Sequence, residues 1–208
     1  MTPREKALSN VKDATTWVMS AVAAINEVTG YPGKRSEIEG LSQFKALKTH
    51  FHVSLGPPTG IVQNFLAFLP FIDEDPMLTT LKDIRFRYFD IASALSRSSI
   101  FVDSPAVGEG EDASAFVPRV RDGTLRITPL YLNLGALNQI LVLIHEGAHF
   151  LGDPFQDYAY RSRKGAESSD PNKYLNLPLQ YAMRNADSYA YFALQMGKNI
   201  DRILAPEE

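Results

Sequence analysis

Apolar residues recur at helical spacing along much of the chain. Five segments carry this pattern and are predicted helices: residues 3–28, 37–49, 78–96, 134–151 and 179–204. In the first segment, Val11, Trp17 and Ile25 fall on one stripe, which is typical of an amphipathic helix. The sequence therefore predicts a helix-rich protein.

Alternation of apolar and polar residues predicts three short strands, over residues 48–55, 115–120 and 124–128. The turn residues Asp122-Gly123 join the last two. Pro118 places the strand 115–120 at an edge, because proline cannot donate to a central ladder. We therefore expect an α+β fold, helix-rich, with a small and mostly antiparallel sheet ahead of the helix 134–151.

The composition is that of an ordinary globular protein. The 208 residues are 45% hydrophobic and 22% charged, which favours a single domain over 1–208. The net charge of −3 gives no basic excess, so a nucleic-acid partner is not predicted. The chain has no cysteine, which excludes disulfides, thiolate nucleophiles and Cys-based zinc sites.

No membrane span is predicted, because no segment approaches the roughly 18–20 apolar residues that a span requires. The short apolar stretch Trp17–Ile25 fits the first helix better than a signal peptide. We therefore expect a cytoplasmic protein or one secreted by a signal-peptide-independent route. The apolar run 64–72 is expected in the core, and residues 103–114 are expected to form an acidic loop.

An HExxH motif, His145-Glu146-x-x-His149, lies inside the predicted helix 134–151. Residues four apart on a helix are rotated by about 40° and separated by about 6 Å, so both imidazoles can bind one metal ion. Glu146 projects beside them, where its carboxylate can accept a proton from water. Burying these three residues without partners would be costly, so the motif favours a catalytic zinc site over a pair of core histidines.

Zinc hydrolases usually supply three protein ligands. A third histidine of the metzincin type would stand at position 155, which is Phe155. Glu167 lies in a polar loop without helical neighbours and is a weak candidate. Asp153 and Asp157 remain, because Gly152 lets the chain turn back towards the metal.

Two blocks of this sequence resemble a known family. The stretch from Gly152 to Tyr160, GDPFQDYAY, resembles the GTxDxxY element of the aspzincins, the deuterolysin and peptidyl-Lys metallopeptidase group. The stretch from Asn185 to Phe192, NADSYAYF, is similar to the NADxxxYF segment of their last helix. The resemblance covers roughly residues 95–195.

This resemblance implies a zincin-like domain and a zinc-dependent metalloendopeptidase acting on polypeptides. One zinc ion would be held by His145, His149 and Asp157, with Glu146 as general base and Tyr160 assisting at the transition state. The catalytic core would span residues 95–204. Residues 1–90, which lie before it, form a helical region of unknown role.

The sequence departs from the family pattern in two places. The threonine of GTxD is absent, and Gly152 and Asp157 are two residues further apart than in the family. Lysine-specific members carry two acids in the last block, whereas this chain has Asp187 but Ala190. Two roles are therefore open for Asp187: binding a lysine next to the scissile bond, or orienting a ligand histidine.

Two further functions compete with a general peptidase. One is a zincin-type effector that cuts a single partner protein, and the other is a zinc amidase acting on a substrate such as peptidoglycan. The edge strand 115–120 is expected to pair with an extended substrate. His50 and His52 would share one face of the predicted strand 48–55, where surface or packed histidines are the expectation.

Overall fold

The computed structural model describes residues 1–56, 76–105, 113–118, 122–152, 155–161, 173–202 and 204. The apolar run 64–72, Asp153 and Glu167 lie outside the described residues, as does most of the predicted loop 103–114.

Helices make up most of the described chain. They are α1 (Pro3–Thr29), α2 (Arg35–Ile38), α3 (Ser42–Phe51), α4 (Pro76–Leu95), α5 (Ala136–Phe150), α6 (Leu179–Ala182) and α7 (Ala186–Lys198). The strands are β1 (Phe101–Asp103), β2 (Ala115–Phe116) and β3 (Leu125–Ile127). Short 3-10 turns cover Ser98–Ile100, Pro129–Asn133 and Tyr174–Asn176. The fold is therefore α+β and helix-rich, as predicted.

The first helix begins with a capping box. The Thr2 hydroxyl accepts the backbone N–H of Glu5, and the Glu5 carboxylate accepts the N–H of Thr2. Pro3 takes the first helical position, where its missing N–H costs nothing. The apolar stripe of α1, including Trp17 and Ile25, is buried, which confirms the predicted amphipathic helix.

The long helix α1 packs against α4, α5 and α7. Inside this contact, the Asn10 side chain donates to the Tyr131 hydroxyl and to the Gln139 amide oxygen, both at 3.0 Å. All three residues are buried. The N-terminal region therefore contributes to the same core as the helix that carries the HExxH motif.

The sheet is small and mixed. Its strand order is β1-β3-β2, with β1 parallel and β2 antiparallel to the central β3. The predicted antiparallel arrangement thus holds for one of the two pairs. Strand β2 lies at an edge, as Pro118 indicated, and it packs against α5.

Three sequence predictions are wrong in detail. The predicted helix 37–49 is divided by the non-helical residues 39–41 into α2 and α3. The segment 48–55 is not a strand, because α3 continues to Phe51 and buries Phe44, Leu47 and Phe51 on a helical stripe. This helix ends at His52, whose φ of 56° is left-handed. The predicted helix 179–204 is divided into α6 and α7 and ends at Lys198. Among the described helices, none is long and apolar enough to cross a membrane.

Candidate metal centre

Helix α5 carries the HExxH motif at its C-terminal end. Leu143 and Ile144, just before the motif, and Ala148 within it are fully buried. They fix α5 in the core. His145 and His149 lie on the remaining face, one turn apart, where they are partly exposed.

Three side-chain atoms from two segments converge at this face. The two Nε2 atoms of His145 and His149 are 3.2 Å apart. The Oδ1 atom of Asp157 lies 3.1 Å from the first and 2.9 Å from the second. Ligand atoms bonded at about 2.0–2.1 Å to a tetrahedral zinc ion would be spaced by about 3.3 Å. The three residues could therefore hold a metal ion, as their chemistry suggests.

The chain after α5 is folded back to bring Asp157 to the histidines. Gly152 makes the turn with a φ of 98°, a backbone conformation that residues with a side chain rarely adopt. The backbone of Gln156 then accepts the N–H of Ala186 and donates to the carbonyl of Arg184 at 2.9 Å. This short parallel bridge lies in the gap between α6 and α7. The break in the last helix thus positions the aspartate.

Asp187, at the start of α7, contacts the opposite side of the first histidine. Its Oδ1 atom is 2.7 Å from Nδ1 of His145, and its Oδ2 atom accepts the Arg161 backbone N–H, also at 2.7 Å. The residue is only 6% exposed. A proton held on Nδ1 by this contact leaves the Nε2 lone pair of His145 free to face the metal position.

The electrostatics of the cluster follow from these contacts. Burial alone would lower the pKa of His145, but hydrogen bonds to Asp157 and Asp187 outweigh it and raise this pKa well above its usual value. Burial likewise opposes ionisation of Asp157, yet hydrogen bonds from His145 and His149 hold its pKa well below the usual range.

Glu146 is buried beside the cluster. Its Oε1 atom lies 3.8 Å from Nε2 of His145, and its carboxylate accepts the backbone N–H of Val117, next to the edge strand. Burial raises its pKa, and the neighbouring histidines oppose this rise. A carboxylate with a raised pKa near a metal position is suited to accept and return a proton.

A cavity of about 260 Å³ opens at the cluster. It lies between α5, the segment ending in β2, and α7, and its lining includes His145, Glu146, Tyr160 and Asp187. The walls are partly apolar, and Leu141 and Val142 of α5 contribute to them. A group bound here would lie directly beside His145 and Glu146.

The aromatic residues of the turn separate into two groups. The Tyr160 ring lies nearly parallel to the His145 imidazole, with centroids 5.8 Å apart, and it borders the cavity. Tyr158 packs against Tyr181 at 4.9 Å, away from the cavity lining. Phe155 is buried against Tyr189. The structure therefore brings Tyr160 to the cluster and leaves the other two in packing contacts.

Two residues of the site had no assigned role in the sequence. The buried Asn185 accepts the backbone N–H of Ala159 at 3.2 Å, and Arg161 supplies the N–H that binds Asp187. An asparagine just before a helix normally reads as its cap, and an arginine in a polar stretch reads as solvated. Their hydrogen bonds to the turn after α5 and to Asp187 are visible only in the folded structure.

Comparisons with known proteins add one finding. No family model matches the chain, and no curated protein matches it. Among solved structures, the chain is similar to a zinc peptidase from Grifola frondosa, with a TM-score of 0.46 and 17% sequence identity. The alignment covers 90% of this chain and 95% of that one. The chemistry of the site is therefore inferred from its geometry.

Proposed function

We propose that the protein is a zinc-dependent metalloendopeptidase. The observation that carries this proposal is the meeting of two imidazole nitrogens and one carboxylate oxygen within 3.2 Å of one another, beside the buried Glu146. Three protein ligands leave one position of a tetrahedral ion open, which distinguishes catalytic zinc sites from structural ones. A glutamate next to that position has no use in a purely structural site.

The ligands are proposed to be His145, His149 and Asp157. Imidazole nitrogen and carboxylate oxygen suit zinc, and the absence of cysteine removes the softer alternatives. Asp187 supports this set because its hydrogen bond directs the Nε2 lone pair of His145 towards the other two ligands. We propose one ion, because the three atoms share a single meeting point.

In peptide hydrolysis, each residue of the site is proposed to have a separate role. Zinc held by these ligands would supply Lewis acidity and so would lower the pKa of a bound water. Glu146 accepts the proton of the attacking water and returns it to the leaving amine. The Tyr160 hydroxyl donates a hydrogen bond to the oxyanion of the tetrahedral intermediate. Removal of one such donor typically costs about 100-fold or more in kcat.

The contacts of Asp187 bear on specificity. Lysine preference, one of the two sequence hypotheses, needs an acid able to pair with an ammonium group inside the cavity. Asp187 does border the cavity, but both of its oxygens already accept hydrogen bonds, and position 190 is a buried alanine. These contacts favour the orienting role, and the apolar walls at Leu141 and Val142 favour an uncharged side chain beside the scissile bond.

The decisive experiment compares wild type with Glu146→Gln on a denatured protein mixture. New peptide termini are mapped by mass spectrometry, with zinc present and after removal of zinc by a chelator. We expect cleavage by the zinc-loaded wild type alone, restored to the chelated protein by added zinc. The variant keeps the ligands, so it should bind zinc without cutting.

The residues at the cleavage sites test the role of Asp187 in the same data. Enrichment of apolar residues would agree with the cavity walls, whereas enrichment of lysine would restore the specificity role of Asp187. Equal patterns from wild type and Glu146→Gln would remove the general peptidase proposal. A single-partner effector or a peptidoglycan amidase would then be tested next, with cell-wall fragments as the substrate.

A further inference from the structure

Arg161 directly follows Tyr160, and its side chain is anchored on every side that the structure describes. Its Nη2 atom donates to Oδ1 of Asp201 at 2.6 Å. Its guanidinium carbon lies 5.8 Å from the ring centre of Tyr174 and 5.2 Å from that of Tyr191. The side chain is only 11% exposed. An arginine on a surface loop would normally extend into water. Here the guanidinium has lost most of its hydration, and these contacts must offset that cost.

Helix α3 supports the same guanidinium through His50. Nη1 of Arg161 lies 3.4 Å and 3.3 Å from the two ring nitrogens of this histidine. The fully buried imidazole accepts the Tyr174 hydroxyl at Nδ1 and donates from Nε2 to the Gln195 amide oxygen, at 2.7 Å and 2.8 Å. Burial and the neighbouring guanidinium lower the pKa of His50 to about 3. A neutral ring can therefore pack against the arginine without charge repulsion.

The backbone of Arg161 connects this anchor to the metal centre. Its N–H donates to Asp187 at 2.7 Å, and Asp187 contacts Nδ1 of His145 at 2.7 Å. The same residue directly follows Tyr160 and lies four positions after Asp157. Displacement of the guanidinium would therefore shift the amide that orients Asp187, and through it the imidazole.

We propose that Arg161 is a positioning residue of the metal centre, held in place by Asp201 and by His50 of α3. This inference rests on the proposed zinc site and assigns a use to part of the N-terminal region, which supplies one wall of the anchor. Arg161 does not contact the reacting atoms with its side chain. It acts through its backbone amide and Asp187.

The test measures zinc affinity by chelator competition, together with kcat and KM, for three variants. Arg161→Met removes the charge and keeps most of the aliphatic bulk, and Arg161→Lys keeps only a point charge. Asp201→Asn weakens the anchor and leaves the arginine in place. The matched control is Arg4→Met, because Arg4 of α1 is also partly buried and its Nε donates to the Phe101 carbonyl at 2.8 Å.

We expect Arg161→Met to weaken zinc binding about tenfold, as is usual when a group that orients a ligand is lost. It should lower kcat with little change in KM, and Arg161→Lys should recover part of both losses. Asp201→Asn should change both quantities in the same direction by a smaller factor. Arg4→Met should lower the melting temperature and leave zinc affinity within twofold of wild type.

A lower melting temperature for Arg161→Met with unchanged zinc affinity would reduce Arg161 to a stability role and overturn the inference. If this variant does not fold, Arg161→Lys and Asp201→Asn decide by the same comparison. Chelator competition needs no substrate. A wild type that binds zinc but cuts nothing would therefore contradict the proposed peptidase activity and leave the positioning role to be judged by affinity.

Discussion

Replacement of Asp187 by asparagine removes one charge from the site and changes almost no volume. In the wild type, the carboxylate faces two donors, Nδ1–H of His145 and the backbone N–H of Arg161. An asparagine offers one oxygen and one NH2 group, so one of the two donors must face the NH2. If that donor is His145, its proton has to move to Nε2, the atom that would bind the metal.

The size of the effect follows from the contact. A hydrogen bond to a charged group contributes about 1.5–3 kcal/mol, and this one is 2.7 Å long in a site where Asp187 is 6% exposed. Because about 1.4 kcal/mol corresponds to a factor of ten, zinc affinity should fall by about 10–100-fold. Catalysis at saturating zinc should fall as well, because the imidazole is no longer held in one orientation.

The assay is chelator competition at neutral pH on the metal-free protein, with circular dichroism as the check on folding. Asp90→Asn, at an exposed position of α4, is the matched control for loss of a carboxylate and should bind zinc like wild type. Glu146→Gln should also bind zinc normally but lose activity. A folded Asp187→Asn variant with zinc affinity within threefold of wild type would refute the orienting role.

Three other predictions test the site and the core. Tyr160→Phe should keep zinc affinity and lower kcat by about 100-fold, and an unchanged kcat would exclude the hydroxyl from the reaction. Gly197→Ala should destabilise the fold by about 1–3 kcal/mol in a urea titration, because its Cβ would lie 2.8 Å from Cγ of the buried Trp17. The pKa of His50 is about 3 in the fold, below the roughly 6.5 of an unfolded chain, so the unfolded state binds more protons between these values. His50 should therefore contribute a loss of about 2 kcal/mol to the stability of the metal-free protein between pH 7.5 and 5, and His50→Asn should lack this component; equal pH slopes for the two proteins would contradict the lowered pKa.

Much of the fold could be predicted from local sequence patterns. The stripe that contains Trp17 and Ile25 predicted α1, and the run around Leu143 predicted α5, because helical periodicity is a property of neighbouring residues. The same logic misled at residues 48–55. There the sequence alternates as a strand would, but a helix buries Phe51 together with Phe44 and Leu47 on one face, and this burial prevailed.

The chemistry of the site divides in the same way. Spacing within one helix was enough to predict that His145 and His149 would face a common point with Glu146 beside them, because four residues make about one turn. Asp157 was a candidate from the sequence, and its approach to the histidines is a consequence of the turn at Gly152 and of the bridge between Gln156 and Asn185.

Tertiary structure alone decided the surroundings of the candidate ligands. The contacts of Asp187 with His145 and Arg161, and the anchor formed by His50, join residues between 26 and 111 positions apart. No sequence periodicity links such positions. Their contacts depend on the gap between α6 and α7 and on the packing of α3 against α7. The sequence by itself thus determined most of the helices and the pairing of the two histidines, whereas packing between distant segments determined the position of Asp157 and the hydrogen bonds around the candidate site.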